Sequence, residues 1–402
     1  MTMPEQPAAA RAEDGTVYAI ISAIAVCHML NDLMQSLIPA IYPLLKENLA
    51  LSFSQIGLIG FVFQGLASIL QPLVGLYTDR RPLPYALASA MGFTLVGLVM
   101  LAHASSFPVV LVSVALIGIG SSIFHPESSR IARLAAGMRP GFAQSVFQVG
   151  GNAGSAMGPL AAAFIVLPKG QSSIEWIAGV ALVGMAILTL VGRWFVREGA
   201  RRARVKRARA STDAALPPGQ VVLAISVLIA LMFSKFVYLV SFSSYYTFYL
   251  IAQFGVSVGQ AQVLLFVFLA SFAVGTIIGG PIGDRIGRKR VIWLSILGVF
   301  PLSVILPHLG LEATVLVSGL AGMIMASAFP AIVVYAQDLM PQNTGSVAGL
   351  FFGLAFGMGA LGAAALGGVA DIKGIVYVYH LCAWLPLIGV LAVFLPNLRA
   401  TG

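Results

Sequence analysis

Charge is what this sequence has least of. Of 402 residues only 9% are Asp, Glu, Lys or Arg, and 59% are hydrophobic; a soluble domain carries about 25% charged residues. The mean hydropathy is +0.95. So few charges cannot cover a water-facing surface of this size, which excludes a soluble enzyme and a disordered chain. Cysteine is nearly absent as well. Cys27 and Cys382 lie in separate apolar runs without CxxC or zinc-like spacing, which excludes a disulfide scaffold and implies no redox or metal chemistry. Alternating-polarity segments of about 10 residues, the mark of a transmembrane barrel, are missing too. What remains is an all-α integral membrane protein.

A helix needs about 20 apolar residues to cross a bilayer. Twelve such runs are present: 17–45, 52–77, 83–103, 107–132, 142–168, 174–196, 221–252, 257–282, 290–309, 312–337, 344–370 and 374–397. With both ends of the chain in the cytoplasm, 19 of the 23 Lys and Arg residues fall on the cytoplasmic side. The positive-inside rule therefore predicts that orientation. The net charge of +9 is spread over short loops between spans, as an anionic lipid leaflet favours, so no nucleic-acid partner is expected. Glu5, Glu13 and Asp14 precede a first run too long for the apolar core of a signal peptide. The stretch 1–16 is thus read as a cytoplasmic tail. The longest break, 197–220, opens with Arg197, Arg201, Arg202, Arg204, Lys206, Arg207 and Arg209 and closes with Pro217-Pro218-Gly219. It is expected to be a basic cytoplasmic linker with a surface helix, dividing a six-helix half over 17–196 from a second over 221–402.

The two halves share an internal repeat at an offset of 205 residues. Ser52, Gln55, Phe61, Val62, Phe63, Gly75, Asp79 and Arg80 recur as Ser257, Gln260, Phe266, Val267, Phe268, Gly280, Asp284 and Arg285. Each Asp-Arg pair closes the second span of its half. A carboxylate at a helix end can hold a neighbouring helix N-terminus or an arginine, and a glycine one turn earlier permits close helix approach. Gly75, Asp79 and Arg80 with Gly280, Asp284 and Arg285 are therefore expected to latch the cytoplasmic face. The second copy, Gly280-Pro-Ile-Gly-Asp284-Arg285-Ile-Gly287-Arg288-Lys289-Arg290, resembles the signature loop of the major facilitator superfamily. That resemblance implies a bundle of twelve transmembrane helices in two six-helix pseudo-repeats, rocking between inward-open and outward-open states.

Ionisable groups within spans are costly and mark function. In the first span His28 and Asp32 are four apart and share a helix face. Asp32 lies about 22 Å along the helix from Val17, and Asn31 adds a polar neighbour. Desolvated carboxylates take up protons more readily than exposed ones, so Asp32 is a candidate proton or substrate site. The fourth span ends in Phe124-His125-Pro126-Glu127-Ser-Ser-Arg130-Ile-Ala-Arg133. Arg130 is a candidate anion site coupled to protonation of Glu127, and Arg133 belongs to the rim. No HExxH spacing surrounds His125 and Glu127, so no metal is expected there. Lys235, in the seventh span, is the one cation inside the second half, and Tyr238 follows it by three. In the fifth span Gly150, Gly154 and Gly158 form a packing stripe, while Gln148 and Asn152 suit a cavity wall.

His28 with Asn31-Asp32, the run Gly118-Ile-Gly120-Ser-Ser-Ile-Phe124-His125-Pro126-Glu127-Ser-Ser-Arg130 and the run Ala143-Gln144-Ser-Val-Phe147-Gln148-Val-Gly150-Gly151-Asn152 look like the fosmidomycin resistance protein family. Gly154-xxx-Gly158-Pro159 also resembles, in part, the antiporter motif of drug exporters. The resemblance implies a monomeric exporter in a bacterial inner membrane, expelling small drugs such as phosphonates in exchange for protons. Asp32 and Glu127 would carry protons; His28, Asn31, His125, Arg130, Gln148, Asn152, Lys235 and Tyr238 would contact substrate. A proton-coupled importer of a small anionic nutrient is the alternative. No enzyme activity and no cofactor are expected, since the chain lacks a nucleophile motif and a sizeable soluble domain.

Overall fold

The computed structural model describes residues 16–51, 53–208 and 217–398. Residues 1–15 of the tail expected over 1–16, and the linker stretch 209–216 with Arg209, lie outside the described residues. Among those described, the chain is helical throughout, without strands. The crossing helices are α1 (Tyr18–Ala40), α2 (Phe53–Arg80), α3 (Ala86–Ala102), α4 (Phe107–Ala135), α5 (Pro140–Ala161) and α6 (Ile174–Ala208) in the first half. The second half has α7 (Pro218–Phe254), α8 (Val258–Ile286), α9 (Arg288–Leu297, continued by Phe300–Ile305), α10 (Leu311–Ala326, continued by Ala328–Leu339), α11 (Thr344–Lys373) and α12 (Ile375–Cys382, continued by a 3-10 turn over Leu385–Phe394). Eleven of these stretches are long and apolar enough to span a bilayer, and α3 is a shorter apolar helix. All twelve expected runs are helical.

Their ends differ from the sequence reading where proline or charge intervenes. The first run was expected to reach residue 45, but α1 stops at Ala40 and a separate helix, Tyr42–Asn48, begins with proline in its first turn. Proline at position 43 lacks the N–H an unbroken helix would need and suits a helix start instead. In place of a separate surface helix in the linker, α6 runs on unbroken to Ala208. Gly287, at φ +93°, turns the chain between α8 and α9, a conformation open to glycine at little cost.

Within the first half α1 packs along α5 and α3 against α4 and α6; in the second, α8 packs on α10 and α7 on α11 and α12. The halves meet chiefly through α2 against α11 and α5 against α8. The glycine stripe of α5 lies on α1: Cβ atoms at Gly150 and Gly154 would stand 2.1 Å from the carbonyl oxygens of Ala25 and Met29.

Carboxylates join the halves at the face where α6 ends and α7 begins. There Asp79, at the end of α2, accepts from the Gly345 N–H (2.9 Å), the Ser346 N–H (2.7 Å) and the Ser346 hydroxyl (2.7 Å) at the start of α11. Asp284, at the end of α8, accepts from the Gly141 N–H (2.8 Å) and the Phe142 N–H (2.9 Å) at the start of α5. Each carboxylate thus caps the N-terminus of a helix in the other half, where unpaired N–H groups and the helix dipole favour an anion. Glycines one turn earlier permit the approach: a Cβ at Gly75 would lie 2.2 Å from Gly345 O, and one at Gly280 2.2 Å from Gly141 O.

The arginines of the two Asp-Arg pairs do not join these latches. Arg80 and Arg285 are exposed, because their side chains leave the helix end on the solvent side. Arg288 takes that place, 3.8 Å from Asp284 and paired with Asp338, which in turn holds Arg133. The repeat is uneven here. Position 83, the counterpart of Arg288, is leucine, whereas Ser346, the counterpart of Gly141, supplies a third hydrogen bond.

An anion at a helix N-terminus is worth roughly 0.3–2 kcal/mol, so each contact joins the two halves yet remains breakable. With spin labels at Arg81 and Gln342, Gly75→Val should lengthen the inter-label distance by prying α2 from α11. An unchanged distance distribution would contradict this packing.

Candidate substrate cavity

Between the halves lies a cavity of about 180 Å³. Its first-half wall is polar: His28, Asp32, His125, Gln148, Asn152 and Ser155. Its second-half wall is chiefly aromatic and aliphatic, with Phe236, Phe272, Phe329, Phe352 and Phe356, and carries Lys235 and Thr276 as its polar members.

The polar wall is built on Asp32. His28, one helical turn away on α1, brings Nε2 to 3.4 Å from Asp32 Oδ2, and His125, from α4, brings Nε2 to 3.4 Å from Oδ1. Asn31 donates to Oδ1 at 3.1 Å and the Ser155 hydroxyl reaches Oδ2 at 3.5 Å. Both imidazoles are held from behind. His28 Nδ1 donates to Phe147 O (2.7 Å) and His125 Nδ1 to Ser121 O (3.0 Å). A carbonyl only accepts, so each Nδ1 carries the proton. Each Nε2 then faces a carboxylate oxygen as lone pair against lone pair unless a positive species stands between them. The Phe147 ring stacks on His28 with centroids 4.0 Å apart, fixing its plane. Gly151 leaves room for the arrangement, since a Cβ there would stand 2.5 Å from His28 Nε2.

Several polar atoms of this wall lack a hydrogen bond. Gln148 Oε1 and Asn152 Nδ2 are buried without one, although Gln148 Nε2 reaches Asn152 Oδ1 at 3.4 Å, and His125 Nε2 has only its 3.4 Å contact with Asp32. Unmet polar atoms around a void are expected where a polar ligand completes them.

Lys235 is 1% exposed. Its Nζ lies 5.0, 5.6 and 5.0 Å from the ring centroids of Phe236, Phe272 and Phe329, and it forms no ion pair among the described residues. A desolvated cation–π contact is worth about 2 kcal/mol, whereas burying an ion costs several. Three such rings offset much of that cost, and an anion entering the cavity would add a full opposite charge.

Not every residue expected at the substrate lines this space. Asn31 is buried behind Asp32 and positions it. Arg130 points away from the cavity, pairing with Glu127, donating to Thr78 O at 3.3 Å and lying over the Phe195 ring. Glu127 is 2% exposed and likewise outside the cavity lining. Pairing satisfies both charges locally, which is why neither reaches the void. Tyr238 accepts from the Ser303 hydroxyl at 2.8 Å within the aromatic core of the second half. Sequence reasoning missed Phe272, Thr276, Phe329, Phe352 and Phe356, which sit in apolar runs without a polar signal. It also missed Asp338, although the 205-residue offset pairs that position with Arg133.

Two six-helix halves, latched at one face around an ion-bearing cavity, define a membrane transporter of small solutes. Comparison with known proteins specifies it: residues 24–363 and 231–401 match the Major Facilitator Superfamily. The chain is 52% identical over 405 aligned positions, 99% of both chains, to the fosmidomycin resistance protein of Escherichia coli (strain K12). It is 42% identical, over 95% of this chain and 94% of the other, to the uncharacterized MFS-type transporter YfnC of Bacillus subtilis (strain 168). The protein belongs to the Major Facilitator Superfamily and, within it, to the family of the fosmidomycin resistance protein. In fold it is similar to the transporter FucP in the outward conformation (TM-score 0.73, 15% identity, 94% of this chain and 99% of that one). It is also similar to the proton:xylose symporter XylE (TM-score 0.69, 15% identity, 96% and 98%).

Filling the space at Gly151 should disturb the His28–Asp32 pair, because overpacking costs about 1–3 kcal/mol. Gly151→Ala should lower the apparent Tm of the purified protein, whereas Gly179→Ala, with nothing within 4 Å of its new Cβ, should not. Equal melting of the two variants would contradict the geometry.

Proposed function

We propose that the protein is a proton-coupled antiporter of a bacterial inner membrane that exports small anionic compounds of the phosphonate class, fosmidomycin among them. The observation that carries this reading is Lys235, a buried lysine among ring faces, opposite a wall of unmet hydrogen-bonding atoms. A phosphonate offers that site negative charge and several acceptor oxygens. The 52%-identical relative, named for fosmidomycin resistance, agrees with such a substrate.

In this reading both termini face the cytoplasm, the chain acts as a monomer, and the halves over 17–196 and 221–402 rock about the cavity. The Asp79 and Asp284 latches close the cytoplasmic face and release when it opens. Asp32 and Glu127 carry the protons. Asp32 does so in contact with the substrate site through His28 and His125. Glu127 does so beneath it, where Arg130 answers its charge when the proton leaves. Lys235, Gln148 and Asn152 hold the substrate, and Asn31 orients Asp32.

Proteoliposomes test the coupling. A proton gradient directed into the compartment that receives no drug should drive fosmidomycin the opposite way in the native protein. Glu127→Gln should retain fosmidomycin binding but lose the gradient response. Drug moving in the same direction as protons would establish import instead, and native gradient response in Glu127→Gln would remove that residue from the proton path.

A further inference from the structure

We propose that His28, Asp32 and His125 form a binding site for a divalent transition-metal ion of the zinc class, with its remaining coordination positions open to the cavity. No metal-ligand spacing shows along the chain because the ligands come from two helices, an i,i+4 pair on α1 and one residue of α4.

Geometry carries the assignment. One ligand atom from each of the three residues can be chosen so that all lie within 4.8 Å of one another, and the two imidazole–carboxylate separations are 3.4 Å. Ligands bound to zinc at 2.0–2.1 Å in a tetrahedral shell stand about 3.3 Å apart. Rotamer-scale shifts therefore close the set around one ion. Two imidazoles and one carboxylate are the donors that zinc and its neighbours in the transition series accept, and three protein ligands leave positions free.

A second observation is independent of the spacing. His125 is 1% exposed, lines the cavity, and its Nε2 has no hydrogen-bond partner. The backbone carbonyls of Phe147 and Ser121 take the Nδ1 protons, leaving each Nε2 on the carboxylate side as the atom a metal ion would bind. A carbonyl behind each imidazole is the outer-shell arrangement that orients metal-binding histidines. A cation between these acceptors removes their mutual repulsion, and Gly151 keeps the space clear. The oxygens of an anionic solute could complete the shell while Lys235 meets the same solute from the opposite wall.

This proposal does not depend on proton-coupled export. Protons and metal ions compete for the same donor atoms, so a bound ion would hold Asp32 deprotonated, and Zn²⁺ binding is measured apart from transport. Tag-free, full-length protein stripped with chelator should bind one Zn²⁺ per chain in calorimetry, and Zn²⁺ should raise its apparent Tm, as ligands specific to the native state do. His125→Gln should weaken binding about tenfold or more, whereas His103→Gln, exposed beside Glu175, should leave it unchanged. Should His125→Gln not fold, Asp32→Asn serves in its place. Absence of saturable Zn²⁺ binding to the native protein, or binding indifferent to the cavity substitutions, would overturn the proposal. Fosmidomycin transport that persists in chelator leaves the proposed function standing whichever way the Zn²⁺ result falls.

Discussion

A charge taken out of water must be answered by an opposite charge, a helix dipole or a ligand, and this constraint organises the molecule. With 9% charged residues, the chain places few ions between its halves, and nearly all are answered by protein. Glu127 has Arg130; Asp338 has Arg133 and Arg288. Asp79 and Asp284 have the N-termini of helices in the opposite half. Lys235 has ring faces instead. Charges are thus paired where α2 and α8 end and left with ring faces in the cavity, which is the distribution the proposed anion export requires.

The same constraint explains how one duplicated motif yields two unequal latches. Both copies keep Gly-xxx-Asp, because the glycine admits the partner backbone and the aspartate caps its helix. They diverge in reinforcement. One latch gains a hydroxyl from Ser346; the other gains Arg288 and, through Asp338, a chain of charges reaching Arg133. The Arg288 latch relies on ions and the Ser346 latch on neutral donors, so salt screens the first more than the second.

Much of this was legible in the sequence, for physical reasons. Hydrophobic length revealed all twelve helices, because a bilayer imposes one thickness on every span. The 205-residue repeat revealed Gly75, Asp79, Gly280 and Asp284, because polar residues at fixed places in an apolar background stand out. His28, Asp32, His125, Gln148, Asn152 and Lys235 were found for the same reason, and they meet in one cavity. The phenylalanines opposite them were not, since an aromatic residue facing a cavity and one facing lipid read alike along a chain. Arg130 was misplaced because spacing tells which residues share a helix face but not which neighbour already meets their charge. The ends of α1 and α6 depended on proline chemistry and on helix continuation beyond the apolar core.

The central claim is that the cavity takes an anion because Lys235 meets ring faces and no opposite charge among the described residues. The most direct measurement compares binding of fosmidomycin with that of its neutral analogue, in which an ester masks the phosphonate, to native protein and to Lys235→Gln. Losing one partner of a buried charge pair typically costs 2–5 kcal/mol. The native protein should therefore prefer the phosphonate by about 30-fold or more, and Lys235→Gln should lose that preference. Equal affinity of the native protein for the charged and neutral compounds would contradict the account.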